Sequence, residues 1–180
     1  ARPDVVCLQE TKLADAAFPA LAFEALGYEA FHHGQGRWNG VAVLSRVGLA
    51  DPVAGWGDGG EPDPDARIAW ATCGGIRVAS VYVPNGRALD DDHYRYKLEW
   101  LARLRTVLDG GSTPDDPIVV AGDYNIAPTD ADVWDIGAFA DSTHVSEPER
   151  AALVALEDWG LQDTFRRVHP EDRLYTYWDY

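Results

Sequence analysis

The chain lacks the features that would place it in a membrane or outside the cell. It has no run of about 18 apolar residues able to cross a bilayer. No basic-then-apolar leader opens it, so a soluble, non-secreted protein is expected. Cysteine is scarce, with Cys7 and Cys73 the two present. Each sits inside an apolar, strand-like segment, where a buried free thiol is the usual state. Such usage excludes a disulfide scaffold and fits a cytoplasmic protein. No CxxC pair and no zinc-type His/Cys spacing occurs. Positive charge is short as well: 15 Lys plus Arg stand against 30 Asp plus Glu, for a net charge of −15. A nucleic-acid partner held mainly by a basic surface is thereby disfavoured. A phosphodiester held through a metal ion is not excluded, because the cation and a few local arginines set the field at such a site. There is neither an internal repeat nor a low-complexity tract.

What is present suffices for a core. With 180 residues, 46% of them hydrophobic, the chain most simply forms one domain over residues 1–180. The apolar centre of Pro3 to Lys12 and the run Val41 to Ser45 read as strands, and Tyr28 to His32 alternates like a half-exposed one. Gly34 to Gly40 is a glycine-rich loop, and residues 51–66, rich in Gly, Pro and Asp, predict a surface loop. Ile68 to Cys73 and Ile76 to Tyr82, joined by Gly74-Gly75, predict a hairpin. Helices are predicted over Phe18 to Leu26 and over His93 to Leu108. The second is closed by Gly110-Gly111, with Lys97, Arg103 and Arg105 on its solvated face. Ser146-Glu147-Pro148-Glu149 reads as a capping box opening a further helix, and Leu174 to Tyr180 as an aromatic strand. Strands interrupted by one-sided helices indicate a layered α/β protein built on two sheets packed face to face.

Polar groups end three of the apolar strands: Glu10, Tyr82, and the pair Asp123 and Asn125 after Ile118 to Ala121. In an extended chain residues i and i+2 face the same way, so Asp123 and Asn125 are expected on one side, with Gly122 leaving room and Pro128 stopping the strand. Hard divalent ions take carboxylates, waters and substrate oxygens, which Glu10 and Asp123 could help supply. Asn125 and Tyr82 add an amide and a phenolic donor, so a phosphodiester is the natural substrate for the set.

Four segments then carry a resemblance. Leu8-Gln9-Glu10-Thr11-Lys12, Ser80 to Gly86, Gly122 to Pro128 and Tyr175-Thr176-Tyr177-Trp178-Asp179-Tyr180 resemble the exonuclease III family of the exonuclease–endonuclease–phosphatase superfamily, in order and approximate spacing. The resemblance implies a DNase I-like fold, a two-layer β-sandwich flanked by helices in four αββα layers. It implies a DNA-repair hydrolase, a 3′-to-5′ exodeoxyribonuclease and abasic-site endonuclease, using magnesium or manganese. The partner implied is double-stranded DNA with abasic sites or 3′ ends, bound by a monomer. Carried over by residue, Glu10 is the main metal ligand, with Asp123 and Asn125 beside it. Tyr82 contacts the scissile phosphate, Asp123 activates or protonates at the reaction centre, and Asn125 orients the nucleophile. Asn85 falls at a polar DNA contact, Arg37 and Trp38 in a backbone-contacting loop, and Tyr177 and Trp178 on the wall of the pocket for a flipped-out abasic sugar.

Family members also begin with a strand carrying an Asn near the metal and end with an Asp and then an Asp-His pair. Neither segment occurs in these residues, so an internal fragment lacking N- and C-terminal strands is expected, poorly active or inactive alone. His144 and His169 do not match the family's His. Two other readings stand beside this one: a phosphatase or phosphodiesterase of the same superfamily acting on a lipid or nucleotide, and a non-catalytic DNA-damage binder.

Overall fold

The computed structural model describes residues 2–170 and 174–178. Backbone contacts gather into two units, one formed by Ala1–Tyr82 with Asp115–Tyr124, the other by Val83–Pro114 with Asn125–Tyr180. The first holds strands β1 (Val5–Gln9), β2 (Glu29–His33), β3 (Val41–Ser45), β4 (Ala50–Ala54), β5 (Ile68–Cys73), β6 (Ile76–Tyr82) and β7 (Ile118–Asp123), with the short helix α1 (Ala20–Glu24). One antiparallel sheet has the order β1-β3-β2, and a second has the order β4-β5-β6-β7. Within the second sheet only the β6–β7 pair is parallel.

Strand β3 explains why its sequence is apolar without alternation: both its faces are covered. Val43 packs with Ala71, Cys73 and Val78 of the other sheet, and Val5 and Cys7 of β1 join them. Ala42 and Leu44 point the opposite way, to Tyr28, Phe18 and Phe23 beside α1. The two sheets therefore stack face to face with a helix outside, the α/β arrangement expected. Both thiols lie in this interior, and burial pushes Cys7 up to about 11.

Two local readings change. Residues 50–54 form β4 instead of belonging to a loop. The strand lies at a sheet edge, where Pro52 sacrifices no ladder hydrogen bond, and the register shifts between Ala50 and Val53. Helix α1 is also shorter than the composition suggests, because Pro19 occupies its N-cap.

The need for glycine at 122 has a definite cause. At φ +152°, a Cβ there would lie 2.0 Å from the Val81 carbonyl oxygen on the neighbouring parallel strand.

The second unit contains α2 (Asp92–Gly111), α3 (Glu147–Trp159) and α4 (Thr164–Val168). Asp91 caps α2 by accepting from the His93 N–H, and the helix runs through Gly110 and Gly111 instead of stopping before them. The Ser112 N–H donates to the Leu108 carbonyl, which keeps the last turn helical. The buried stripe of α2 is Lys97, Trp100, Leu101, Leu104 and Leu108. Lys97 is thus on the apolar face, contrary to the solvated position expected, since 97, 101, 104 and 108 share one side of a helix. It is fully buried and ion-paired with Glu149, also fully buried. Arg105 reaches across to the Ala155 carbonyl of α3 at 3.2 Å, and so is only half exposed.

Glu149 serves twice. Its carboxylate accepts from the Ser146 N–H at 3.1 Å and the Ser146 hydroxyl at 2.6 Å, closing the capping box at the start of α3. The same group accepts from the His144 N–H and from Lys97. Burial alone would raise the carboxyl of Glu149, but the Lys97 charge and these hydrogen bonds leave it below the ordinary range. Its stabilisation is present above the unfolded-state value and is lost as pH falls through the depressed one.

The aromatic stretch is not a strand where it is described. Thr176 and Tyr177 both donate their N–H groups to the Asp132 carbonyl, at 3.0 and 3.2 Å, so no ladder forms over 174–178. Asp179 and Tyr180 lie outside the described residues.

Gly122→Ala is expected to lower unfolding free energy by about 2–4 kcal/mol, from strain and overpacking together, as measured by urea denaturation. Lys97→Met alone should cost about 3–5 kcal/mol by stranding a buried carboxylate, whereas Lys97→Met with Glu149→Gln should recover most of that loss in the same assay.

Candidate active site

In the first unit, β1 is locked to β6 before it delivers Glu10. The Gln9 amide donates to the Ser80 hydroxyl at 3.0 Å, and that hydroxyl donates to the Leu8 carbonyl at 3.1 Å. Glu10 follows in a left-handed conformation, φ +52°, and Lys12 repeats it at φ +54°. Both are held by neighbouring backbone: Thr11 N–H donates to the Gly40 carbonyl and Lys12 N–H to the Asn39 carbonyl. Such conformations are strained for residues with a Cβ and persist where their surroundings dictate them.

The Tyr82 hydroxyl donates to Glu10 Oε1 at 2.9 Å, and Lys12 Nζ lies 2.7 Å from Oε2. Tyr82 stands over the Arg67 guanidinium, 4.8 Å from its ring centroid, and Arg67 also donates to the Tyr82 carbonyl. Asp65 in turn accepts from Arg67 Nε at 2.9 Å. Asp123 is the direct register partner of Tyr82 on β7. Burial first, then the Glu10 hydrogen bond and charge, push the Tyr82 phenol up to about 12. It therefore stays protonated, a hydrogen-bond donor, across the physiological range. Glu10 is held below the usual carboxylate range, chiefly by the Lys12 hydrogen bond and also by Tyr82.

Arg37 and Trp38 belong to the same unit, in the loop between β2 and β3. Trp38 is 62% exposed, with the Arg37 guanidinium 5.4 Å from its ring.

In the second unit the extended backbone that would impose strand alternation is already over: Asn125 is left-handed, φ +51°, and buried. Its direction is set by hydrogen bonds, not by i, i+2 alternation. Its side-chain amide donates to the Val83 carbonyl at 2.9 Å, and Oδ1 accepts from Asn85 Nδ2 at 3.3 Å. Asn85 Nδ2 also meets His144 Nε2 at 3.0 Å, while Asn85 Oδ1 accepts from the Arg87 N–H. That backbone donor fixes the amide's orientation, so His144 Nε2 is the acceptor and its ring proton sits on Nδ1, facing the Thr143 hydroxyl. Tyr177 lies tilted against His144, 4.8 Å between centroids, and edge-on to Phe139. Trp178 is 55% exposed.

The Endonuclease/Exonuclease/phosphatase family pattern matches residues 1–180. The chain belongs to this family. It is 33% identical to exodeoxyribonuclease III of Haemophilus influenzae, covering 99% of this chain and 71% of that protein. Among solved structures, an AP endonuclease from Archaeoglobus fulgidus matches with TM-score 0.93 and 35% identity, over 99% of this chain and 69% of that one. The 3′ phosphatase NExo from Neisseria, bound to product DNA hairpin, matches with TM-score 0.89 and 39% identity, again over 99% and 69%. The two-sheet α/β fold is thus shared with DNA-processing enzymes of the family, which uses metal ions.

Glu10 fits a hard cation on its own evidence: its carboxylate is exposed, ionised, pre-oriented by Tyr82 and already attractive to the Lys12 ammonium. Among the described residues no three His, Cys, Asp or Glu converge. An ion at Glu10 would therefore complete its shell with water and substrate oxygens. Of the ligand set read from sequence, Glu10 and Asp123 lie in the first unit and Asn125 in the second.

Several groups beside these residues escape sequence reading. Arg67 carries no local signal for its place against Tyr82, because that contact is made by a chain crossing. Lys12 is only two residues from Glu10, but it is the left-handed turns at 10 and 12 that accompany their pairing, and those are not written in the local pattern. Lys97 does carry a local signal, as a cation on an otherwise apolar helical stripe, which requires a buried partner.

Lys12→Met should raise the Glu10 carboxyl more than Tyr82→Phe does, and both should move it upward, in an NMR titration of the Glu10 side chain. Stability lost through Glu10 as pH falls past its depressed value should be small, since the group is exposed to solvent.

Proposed function

We propose that this chain is the catalytic part of a magnesium-dependent DNA-repair phosphodiesterase, acting as a 3′-to-5′ exodeoxyribonuclease and abasic-site endonuclease on double-stranded DNA. The observation that carries this reading is the Tyr82–Glu10 hydrogen bond at 2.9 Å, with Asp123 in register beside Tyr82. An acceptor for a hard ion and a phenol that remains a donor stand together, next to a carboxylate. The related exodeoxyribonuclease III, AP endonuclease and DNA-bound 3′ phosphatase support DNA as the substrate.

The bound ion would supply Lewis-acid stabilisation of charge on the phosphate oxygens. The residues do the rest. Glu10 would hold the ion, and with its carboxylate so engaged the single Tyr82 O–H would turn from Oε1 to donate to a non-bridging phosphate oxygen. Asp123 takes the proton from water, or returns it to the leaving oxygen. Asn125 orients the water. Water oxygen bonds to phosphorus as the bond to the leaving sugar oxygen breaks, leaving a hydroxyl end and a phosphate end with no covalent enzyme intermediate. Asn85, with Arg37 and Trp38, contacts the DNA, and Tyr177 and Trp178 line the pocket for the extruded sugar. On this reading the protein works as a cytoplasmic monomer. No described helix is long and apolar enough to cross a membrane.

The test uses the full-length protein and a duplex containing one abasic site. Nicking is expected with magnesium and abolished by chelator; nicking that survives the chelator overturns the metal-dependent reading. Asp123→Asn should lower kcat by orders of magnitude with the melting temperature unchanged. Duplex affinity should fall with salt along a shallow slope, given the few cations available, and salt-independent affinity would favour a small-molecule substrate.

A further inference from the structure

We infer that Lys97, neutralised by Glu149, is a positioning residue that fixes Asn125 and Asn85 for the reaction. The inference rests on the catalytic reading of Asn125 given above. Lys97 Nζ donates to the backbone carbonyl of Asn125 at 2.6 Å and to that of Asn85 at 3.1 Å, and it also donates to Glu149. An ammonium has three N–H donors, so each is engaged.

The two carbonyls matter because of where they lie. Asn125 is left-handed at φ +51°, a conformation asparagine adopts more readily than most L residues, and its carbonyl is then held there by Lys97. Anchoring its carbonyl fixes the peptide that follows it, and with it the direction of the Cα–Cβ bond. Asn85 is tied to Asn125 through the 3.3 Å amide contact, so one cation organises both side chains from the rear. Glu149 reaches the same pair by a second route. It accepts the His144 N–H, the His144 carbonyl accepts the Ala127 N–H at 2.7 Å, and the His144 ring accepts from Asn85.

A purely structural role would not require this chemistry. Two apolar side chains of similar volume pack as well as a buried ion pair or better, but they cannot hold two loop carbonyls. The reactive part of Asn125 is its amide, and Lys97 touches only its backbone. Lys97 therefore acts through Asn125.

The test compares wild type, Lys97→Met/Glu149→Gln, Asn125→Ala and the triple variant in the full-length protein, on the abasic duplex, with melting curves to establish folding. The double variant is expected to lose about 10–100-fold in kcat with KM within about threefold, as for an interaction felt in the transition state. In the Asn125→Ala background the same pair should cost less than about twofold more, because the residue it positions is gone. A double variant with near-normal kcat, a loss confined to KM, or a loss that adds in full to that of Asn125→Ala overturns the inference. Near-normal rates in Asn125→Ala itself would overturn the role of Asn125 and this inference together. An inactive Asn125→Ala alongside a fully active double variant would overturn this inference alone. Should the double variant not fold, Lys97→Arg decides: it keeps the charge but replaces a compact donor by a planar fork. A kcat loss of at least about fivefold at unchanged melting temperature supports positioning, and an unchanged kcat overturns it.

Discussion

The buried pair of Lys97 and Glu149 is the constraint on which the second unit depends. Desolvating two charges is expensive, and the pair is tolerable only because its polar atoms are served. Three acceptors meet the ammonium, and the carboxylate takes four donors from Lys97, His144 and Ser146. The result joins α2 to the start of α3 and ties both to the loops bearing Asn85 and Asn125. A single helix cap, an ordinary local device, thus becomes the counter-ion of a long-range anchor.

The first unit solves a similar problem with a different device. Glu10 must leave β1 at a fixed angle, and the Gln9–Ser80–Leu8 hydrogen bonds set where β1 ends relative to β6. The left-handed turn at Glu10 then brings its carboxylate to the Tyr82 hydroxyl. The backbone is left-handed at Glu10 and Asn125, as it also is at Lys12, Asn39, Asp51, Arg87, Asp141 and His144, so it is the hydrogen bonds at the first two, and not the conformation itself, that set their side chains. Arg67 stabilises the same rim from below, through the Tyr82 ring and carbonyl.

The strongly negative net charge is no obstacle to a phosphodiester substrate in this arrangement. Lys12 pairs with Glu10 itself and Arg67, paired with Asp65, lies against Tyr82, so charge at these residues is locally balanced although the chain total is strongly negative. Bulk charge sets solubility and the steepness of salt dependence; placement sets chemistry.

The sequence by itself determined six of the seven described strands, all but β4, with the Gly74-Gly75 hairpin, the capping box and the polar ends at Glu10, Tyr82 and Asp123, because each is written in neighbouring residues through periodicity, turn chemistry or a strand's last position. The four quoted segments carried the family for the same reason. What only the tertiary structure decided depends on residues far apart in the chain. Lys97 is buried because Glu149, 52 positions away, meets it there. Asn125 is held left-handed and inward as the Val83 carbonyl accepts its amide and Lys97 donates to its backbone carbonyl. Residues 50–54 become a strand because β5 offers an edge, and 174–178 do not because Asp132 captures their donors. Local pattern specifies an element's type, but the free energy of a buried charge or a redirected carbonyl is decided by partners that no short window of sequence contains.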